Sequence, residues 1–206
     1  FLAECRPVIG KKTLLAVTEF PLADFVPLIS GIKAEGGVAV YDLIDDWNTS
    51  LGGGWYSSKT ELDIASASQV LLATAEPLRQ SLARRTGRLV RLLPNAVNSD
   101  LFLRLKRYDR PADLPCADLV IIYIGALWGD WFDWDLLRRV AVSYPQAQVI
   151  VIGDYRGQCA DAPTNLHFLG LKAQSQLPAY LAHSTVAIVP WSVSRLTHAT
   201  SPLKIY

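Results

Sequence analysis

Two neighbouring carboxylates, Asp45 and Asp46, follow a short apolar segment, and Trp47 comes directly after them. The segment, residues 38–42, has the composition of a β-strand, and the carboxyl ends of parallel strands face a crevice. Carboxylates at such an edge can bind substrate hydroxyls or orient a base, and their proximity can raise the pKa of one of them. A solvated strand end with Trp47 as a packing anchor explains the same residues equally well.

A second candidate set lies near the last residue of the sequence. Ser201 and Pro202 have the pattern of a helix start, with Ser201 as the N-cap and Pro202 in the first turn. Lys204 would fall in that turn, where a positive charge opposes the helix dipole unless an anion is bound there. Lys204 and the Ser201 hydroxyl therefore predict a diphosphate clamp. The alternative is a tolerated surface lysine.

Gly125 and Gly129 lie between a buried apolar segment, residues 118–124, and a predicted helix that begins near Asp133. A strand, a small-residue turn and a helix N-terminus together form a phosphate seat, although a tight turn that requires glycine gives the same pattern. Asp133 and Asp135 match the D-x-D pattern that elsewhere chelates a divalent metal with a sugar nucleotide. Their positions suit a helix cap and a first-turn acidic residue better, so we expect no metal site.

Other site patterns are absent from the sequence. His167, His183 and His198 have no metal-ligand spacing, and the three cysteines lie far apart without a C-x-x-C pair. Neither a P-loop motif nor a G-x-G-x-x-G motif occurs, which argues against P-loop enzymes and dehydrogenases. The cysteine pattern predicts a reduced, cytoplasmic protein.

The composition is that of a globular protein. The 206 residues carry a formal charge of +1, half of them are hydrophobic, and no apolar run approaches the length of a membrane span. The sequence starts at Phe1 and contains no Met, so we expect it to be a piece of a larger protein or to contain gaps.

Charge is concentrated in residues 79–110, which hold nine basic and two acidic residues. This basic stretch predicts either peripheral contact with anionic lipids on the inner face of the plasma membrane or a solvated surface. Aromatic residues are sparse there, which argues against nucleic acid as a partner.

Predicted strands and helices alternate along most of the chain. One series covers residues 13–93, and a second covers residues 118–190. This rhythm predicts an α/β protein with two Rossmann-like parallel-sheet domains. We place a partial N-terminal domain at 1–100, a linker at 101–116 and a C-terminal domain at 117–206.

Five motifs occur in an order that resembles bacterial family 4-like glycosyltransferases of the GT-B fold, in the group that makes exopolysaccharide or teichuronic-type polymers. The motifs are YDLIDDW at 41–47, LPNAVN at 93–98, YIGAL at 123–127, NLHFLG at 165–170 and SPLKIY at 201–206. The resemblance implies a GT-B fold whose N-terminal domain is incomplete and whose C-terminal end is truncated.

The resemblance also implies a function. A hexose would pass from a UDP- or GDP-sugar, bound by the C-terminal domain, to a hydroxyl of a lipid-linked or polysaccharide acceptor on the N-terminal side. Transfer would need neither metal nor cofactor and would usually retain the anomeric configuration. Gly125 would lie under the donor diphosphate, with Thr197, Ser201, Pro202 and Lys204 on the phosphate and sugar side. Lys204 would act in catalysis by stabilising the leaving diphosphate, and Asp45, Asp46 and Trp47 would be acceptor-side candidates.

Some positions depart from the family pattern. Asn-Gly-Val-Asp is replaced by Asn95-Ala-Val-Asn98, Ala199 stands where many members carry a glutamate, and the sequence stops at Tyr206 before a second one. Two alternatives therefore stay open. The first is a sugar-nucleotide 2-epimerase of GT-B architecture, and the second is a non-catalytic GT-B module that binds a glycan or a partner enzyme.

Overall fold

The computed structural model describes residues 14–102, 106–127, 129–155, 159 and 161–205. They form two compact units: the first ends at Asn95 and also includes Arg195–Pro202, and the second contains Ala96–Ser194 and the residues from Leu203 onward. Cys5, Arg104, Trp128, Tyr206 and the predicted strand start at residue 13 lie outside the described residues. The domain boundaries at 1–100, 101–116 and 117–206 stay predictions.

The first unit has a parallel four-stranded sheet in the order β1-β2-β3-β4. Its strands alternate with helices, as the sequence pattern predicts. The strands are β1 (Leu15–Thr18), β2 (Val38–Leu43), β3 (Val70–Ala73) and β4 (Arg91–Leu92), and the helices are α1 (Phe25–Ala34), α2 (Ser58–Ala67) and α3 (Glu76–Thr86).

Local signals set the helix ends in this unit. The Ser57 hydroxyl accepts a hydrogen bond from the backbone N–H of Thr60, which makes Ser57 the N-cap of α2. Gly87 ends α3 with a φ of 64°, a left-handed conformation that glycine adopts without steric cost. The core between sheet and helices includes Ile29, Tyr41 and Ile64, all fully buried.

The second unit has a parallel sheet in the order β7-β6-β5-β8. Both faces of its central strands are covered: Ile121 and Tyr123 belong to one hydrophobic cluster, and Val120 and Ile122 belong to another. Burial on both faces explains why the strand at residues 120–124 is apolar throughout. The strands are β5 (Val120–Ile124), β6 (Gln148–Ile152), β7 (Leu166–Phe168) and β8 (Val186–Ala187), and the helices are α4 (Trp134–Ser143) and α5 (Leu177–Ala182), the latter preceded by a 3₁₀ turn at Gln174–Gln176.

The chain beyond β8 differs from the pattern read from the sequence. A short helix, α6 (Arg195–Ala199), forms where no element was predicted, and it belongs to the first unit. Ser201 and Pro202 then precede a single 3₁₀ turn, Leu203–Ile205, instead of starting an α-helix among the described residues. Within the described part of the chain, no helix is long and apolar enough to cross a membrane.

Candidate functional site

Gly125 and Lys204 come together in the second unit, where β5 ends. A Cβ atom on Gly125 would lie 2.7 Å from Cε of Lys204 and 2.8 Å from the hydroxyl oxygen of Tyr123. Gly153, after β6, is packed as closely, because a Cβ there would lie 2.0 Å from the Gly125 carbonyl oxygen. Close approach to backbone therefore requires glycine at Gly153, and at Gly125 a φ of 154° also favours glycine. The lysine stem lies directly against the Gly125 backbone.

The Lys204 ammonium lies over aromatic rings. Its Nζ is 4.2 Å from the centre of the Trp191 ring and 5.7 Å from the centre of the Tyr123 ring. The two aromatic residues are themselves joined, since the Trp191 indole N–H donates to the Tyr123 hydroxyl at 3.4 Å. Tyr123 in turn donates to the Ala126 carbonyl at 2.8 Å. The aromatic pair thus holds the lysine by cation–π attraction.

The charge of Lys204 is not balanced by a carboxylate among the described residues. Partial burial lowers the pKa of its ammonium, and no acidic group within the described ranges opposes that shift. A half-buried cation whose partners in this part of the chain are ring faces retains unsatisfied N–H donors and positive charge. Such a group is suited to receive an anion.

A cavity of about 680 Å³ opens beside this lysine within the second unit. Its wall is mostly aliphatic, with Ile124, Leu177 and Ile188 among the lining residues. Lys204 is the one charged side chain among the described residues that line it, and Gly125 contributes backbone. An apolar cavity of this size with one convergent charge has the form of a small-molecule binding site.

The other predicted donor-side residues lie in the first unit. Thr197 is half-buried on α6, and Pro202 follows that helix. Ser201 is buried, and its carbonyl oxygen accepts a hydrogen bond of 2.7 Å from the Asn95 side-chain amide. The structure therefore brings Gly125 and Lys204 together in the second unit. The remaining donor-side candidates belong to the first unit: Thr197, Ser201 and Pro202.

The acceptor-side candidates follow β2 in the first unit. Burial raises the pKa of the Asp45 carboxyl to about 6; the hydrogen bond from Thr200 lowers it, and the neighbouring Asp46 charge raises it. Asp46 forms a two-point ion pair with Arg195, at 2.7 Å and 3.2 Å. Trp47 is buried, and its indole N–H donates to the Glu19 carbonyl at 3.1 Å. Asp45 is thus a half-buried carboxyl whose pKa lies near neutrality, a property suited to binding or moving protons.

A smaller cavity of about 240 Å³ lies beside Asp46 in the first unit. Arg84, Arg195 and His198 line it together with Asp46. The Asp46–Arg195 pair balances part of this charge.

Glu61 lies in a buried cluster that was not among the predicted site residues. The residue is 1% exposed, and its carboxylate accepts hydrogen bonds of 2.9 Å from the hydroxyls of Tyr41 and Tyr56. It also forms an ion pair of 2.5 Å with Arg85. Only its place in the first turn of a helix was visible in the sequence, and that gives no sign of its distant partners. Trp191, also missed, had one available signal, because it directly follows the second predicted series of strands and helices, which ends at residue 190.

The D-x-D pair has the structural role that the sequence favoured. The Asp133 carboxylate accepts from the Leu136 backbone N–H at 2.7 Å and so caps α4, and Asp135 pairs with Arg138 at 2.9 Å. Across the described ranges, no group of three or more His, Cys, Asp or Glu side chains could hold a metal ion. His167 contacts Gln148.

Several side chains of the basic stretch have partners within the molecule. Arg79 pairs with Glu76, Arg88 donates to three backbone carbonyls, and Arg110 donates to the Pro115 carbonyl. Membrane contact through residues 79–110 stays a prediction.

Comparison with known proteins identifies the architecture. No protein-family model matches the chain, and no curated protein sequence matches it. Among solved structures, Anabaena HepE in complex with UDP matches with a TM-score of 0.63 and 17% identity, covering 94% of this chain and 58% of HepE. Sucrose-phosphate synthase from Thermosynechococcus elongatus matches with a TM-score of 0.54 and 17% identity, covering 86% and 50%. A putative UDP-N-acetylglucosamine 2-epimerase from Listeria monocytogenes matches with a TM-score of 0.56 and 9% identity, covering 90% and 55%.

The fold is GT-B. Two parallel α/β units of four strands each, together with these neighbours, confirm the fold class predicted from the sequence. The chain spans only 50% to 58% of the length of the three structures. At 9% to 17% identity, the likeness establishes the fold and not the reaction.

Proposed function

We propose that this chain is part of a glycosyltransferase that moves a hexose from a UDP- or GDP-sugar, bound by the second unit, to a hydroxyl of a lipid-linked or polysaccharide acceptor, received by the first unit. The observation that carries the proposal is the half-buried Lys204 ammonium, which lacks a carboxylate partner among the described residues and faces an apolar cavity of about 680 Å³. Structures of HepE with UDP and with UDP-glucose support UDP as the first donor nucleotide to test.

The chemistry follows from charge. When the bond between sugar and diphosphate breaks, negative charge develops on the leaving diphosphate, and a preorganised cation stabilises it. Lys204 is held in place by Trp191 and by the Gly125 backbone, so little reorganisation is needed at that moment. We further propose that transfer needs no metal and retains the anomeric configuration, as the resemblance implies.

On the acceptor side we propose Asp45 and Asp46 as ligands for hydroxyl groups. Asp45 is the better candidate for a proton-linked role, because its raised pKa lets it hold or release a proton near neutral pH. Asp46 forms an ion pair with Arg195, and Trp47 is buried in the core of the first unit.

A thermal-shift titration of the chain with UDP, GDP and NAD tests the donor site. A ligand that binds only the native state raises the apparent stability in proportion to ln(1 + [L]/Kd). Stabilisation by UDP or GDP and not by NAD is expected, and Lys204→Met should remove about half of it or more. Lys59→Met is the matched control, because Lys59 is exposed in the first unit and pairs only with Asp63. A response to NAD alone, or equal responses in both variants, would count against the proposal.

The epimerase alternative has one specific observation behind it, the structural likeness to the Listeria protein. An epimerase would convert a UDP-sugar without any acceptor. Incubation with UDP-N-acetylglucosamine alone, followed by product analysis, separates the two reactions. Nucleotide binding with neither transfer nor epimerisation would instead favour the non-catalytic module.

A further inference from the structure

We propose that an aromatic surface on the first unit, made of Phe20, Trp47 and Trp55, binds a pyranose ring of a neutral saccharide. The inference rests on the proposed function, in which the first unit receives a glycan acceptor. Phe20 and Trp55 were not among the predicted site residues.

The three rings form one continuous surface. Ring centres are 4.9 Å apart for Phe20 and Trp47, 5.3 Å for Trp47 and Trp55, and 6.2 Å for Phe20 and Trp55. Trp47 lies beneath and is 6% exposed, whereas Phe20 and Trp55 are 43% and 41% exposed. Two large aromatic side chains thus stay partly in water although a buried neighbour adjoins both, and exposed apolar surface of this kind marks interaction sites.

The loop that carries the two tryptophans is built closely around them. Gly52 lies against Trp47 so tightly that a Cβ there would approach the Trp47 carbonyl oxygen to 1.8 Å. The Trp55 backbone N–H donates to the Gly52 carbonyl at 3.2 Å, and the Thr49 hydroxyl donates to the Asp46 carbonyl at 2.6 Å. The backbone of the loop that carries Trp47 and Trp55 is therefore held by hydrogen bonds and by the close approach of Gly52 to Trp47.

The loop that carries the two tryptophans also carries polar groups of the kind that bind sugar hydroxyls. Asp46 belongs to the same loop, and the exposed Asn48 side chain follows it. The Trp55 indole N–H has no hydrogen-bond partner among the described residues, which leaves a donor at the edge of the ring. Aromatic faces cover the C–H groups of a pyranose, while carboxylate, amide and indole groups meet its hydroxyls.

The location favours a saccharide over a lipid. Phe20 follows the carboxyl end of β1, and Trp47 and Trp55 follow the carboxyl end of β2, which is the edge where parallel sheets bind ligands. Asp45 and Asp46 lie next to Trp47 in the chain. These polar side chains suit the hydroxyl groups of a saccharide better than the acyl chains of a lipid.

Saturation-transfer difference NMR with methyl glycosides tests the surface directly. The probes are the α and β methyl glycosides of glucose, galactose, mannose and N-acetylglucosamine at millimolar concentration. We expect transfer to the ring C–H protons of at least one glycoside. Trp55→Ala and, independently, Phe20→Ala should each weaken binding about threefold to tenfold, the range expected for one lost aromatic contact. Tyr144→Ala is the matched control, because Tyr144 is a 49% exposed aromatic residue in the second unit.

Three results would overturn the proposal: no transfer to any of the eight glycosides, equal transfer from the wild type and from both ring variants, or binding to phosphatidylcholine vesicles that Trp55→Ala removes. The last result would identify an acyl-chain surface. The UDP titration is read separately. A protein that binds glycosides through Trp55 but never responds to a nucleotide would refute the transferase and leave the saccharide surface standing.

Discussion

Replacing Lys204 by Met should separate folding from nucleotide binding, because the two effects have different sizes. The substitution keeps an unbranched side chain of similar length against Gly125 and removes the charge. Partial burial lowers the pKa of the Lys204 ammonium, so the folded protein holds the charged form less favourably than water does. The contact with Trp191 at 4.2 Å offsets part of that cost.

The expected magnitudes follow from these opposing contributions. A cation–π contact contributes about 0.5–2 kcal/mol, and the burial cost opposes it, so the free energy of unfolding without ligand should change by about 1 kcal/mol or less. A hydrogen bond from a charged donor contributes about 1.5–3 kcal/mol, so the Kd for UDP should rise by about 10-fold to 150-fold. At a UDP concentration near 100 times the wild-type Kd, the ligand stabilises the wild type by about 2.7 kcal/mol and the variant by about 1.5 kcal/mol or less.

Urea unfolding at pH 7, with and without UDP, measures both quantities on the same samples. The pH dependence gives a second check. The folded-state pKa of Lys204 is lowered, so wild-type stability relative to the variant should rise as the pH increases through that pKa toward the ordinary lysine value. A variant that loses more than about 2 kcal/mol without ligand, yet keeps the full UDP effect, would show that Lys204 is a structural residue and refute its role in the site.

Three further predictions concern the first unit. Asp45→Asn should raise the free energy of unfolding at pH 7 by about 1 kcal/mol, with allowance for solvent screening. The stability of the wild type should fall as the pH rises from about 4 to 6, because the folded carboxyl with its pKa of about 6 holds a proton that the unfolded one releases, and the variant should show a flatter curve. Equal pH dependence of the two proteins in urea unfolding would contradict the burial argument. Glu61→Gln should lower the free energy of unfolding by about 3–5 kcal/mol, because it leaves Arg85 without its buried partner. In urea unfolding, the double variant with Arg85→Met should lose less stability than the sum of the losses of the two single variants. Gly52→Ala should cost about 1–3 kcal/mol and alter the tryptophan fluorescence, because the new Cβ would displace the Trp47 carbonyl; an unaltered spectrum with full stability would contradict that contact.

The fold was predictable because its signals are local. The apolar strand at β5 and the capping carboxylate of Asp133 are each specified within a few residues, and the structure confirms both. The alternation of such segments is enough to predict parallel α/β units. Strand lengths were less predictable: β4 covers only Arg91–Leu92, and Leu89 and Leu93 on either side are largely exposed.

The candidate site was predictable only in part, since its contacts join distant positions. The pairing of Gly125 with Lys204 was expected from the family resemblance, but the expected helix start at Ser201 is a 3₁₀ turn after Pro202, and the lysine is held by Trp191 rather than by a helix dipole. Glu61 shows the same limit, because no local pattern reveals that its partners are Tyr41 and Arg85.

Lys204 and Trp55 both lower the stability of the folded protein, and for opposite reasons. Lys204 keeps a charge partly out of water without a carboxylate among the described residues, and Trp55 keeps an aromatic ring partly in water beside a buried one. Neither arrangement follows from the rules that place charges outside and rings inside. Trp55 lies in the loop after the carboxyl end of β2, and Lys204 lies against Gly125, which follows the carboxyl end of β5. Features that oppose stability tend to persist at functional sites. An anion over Lys204 and a sugar ring on Trp55 would each remove the cost that the free protein bears, so the two ligands should stabilise the chain independently and their effects should add.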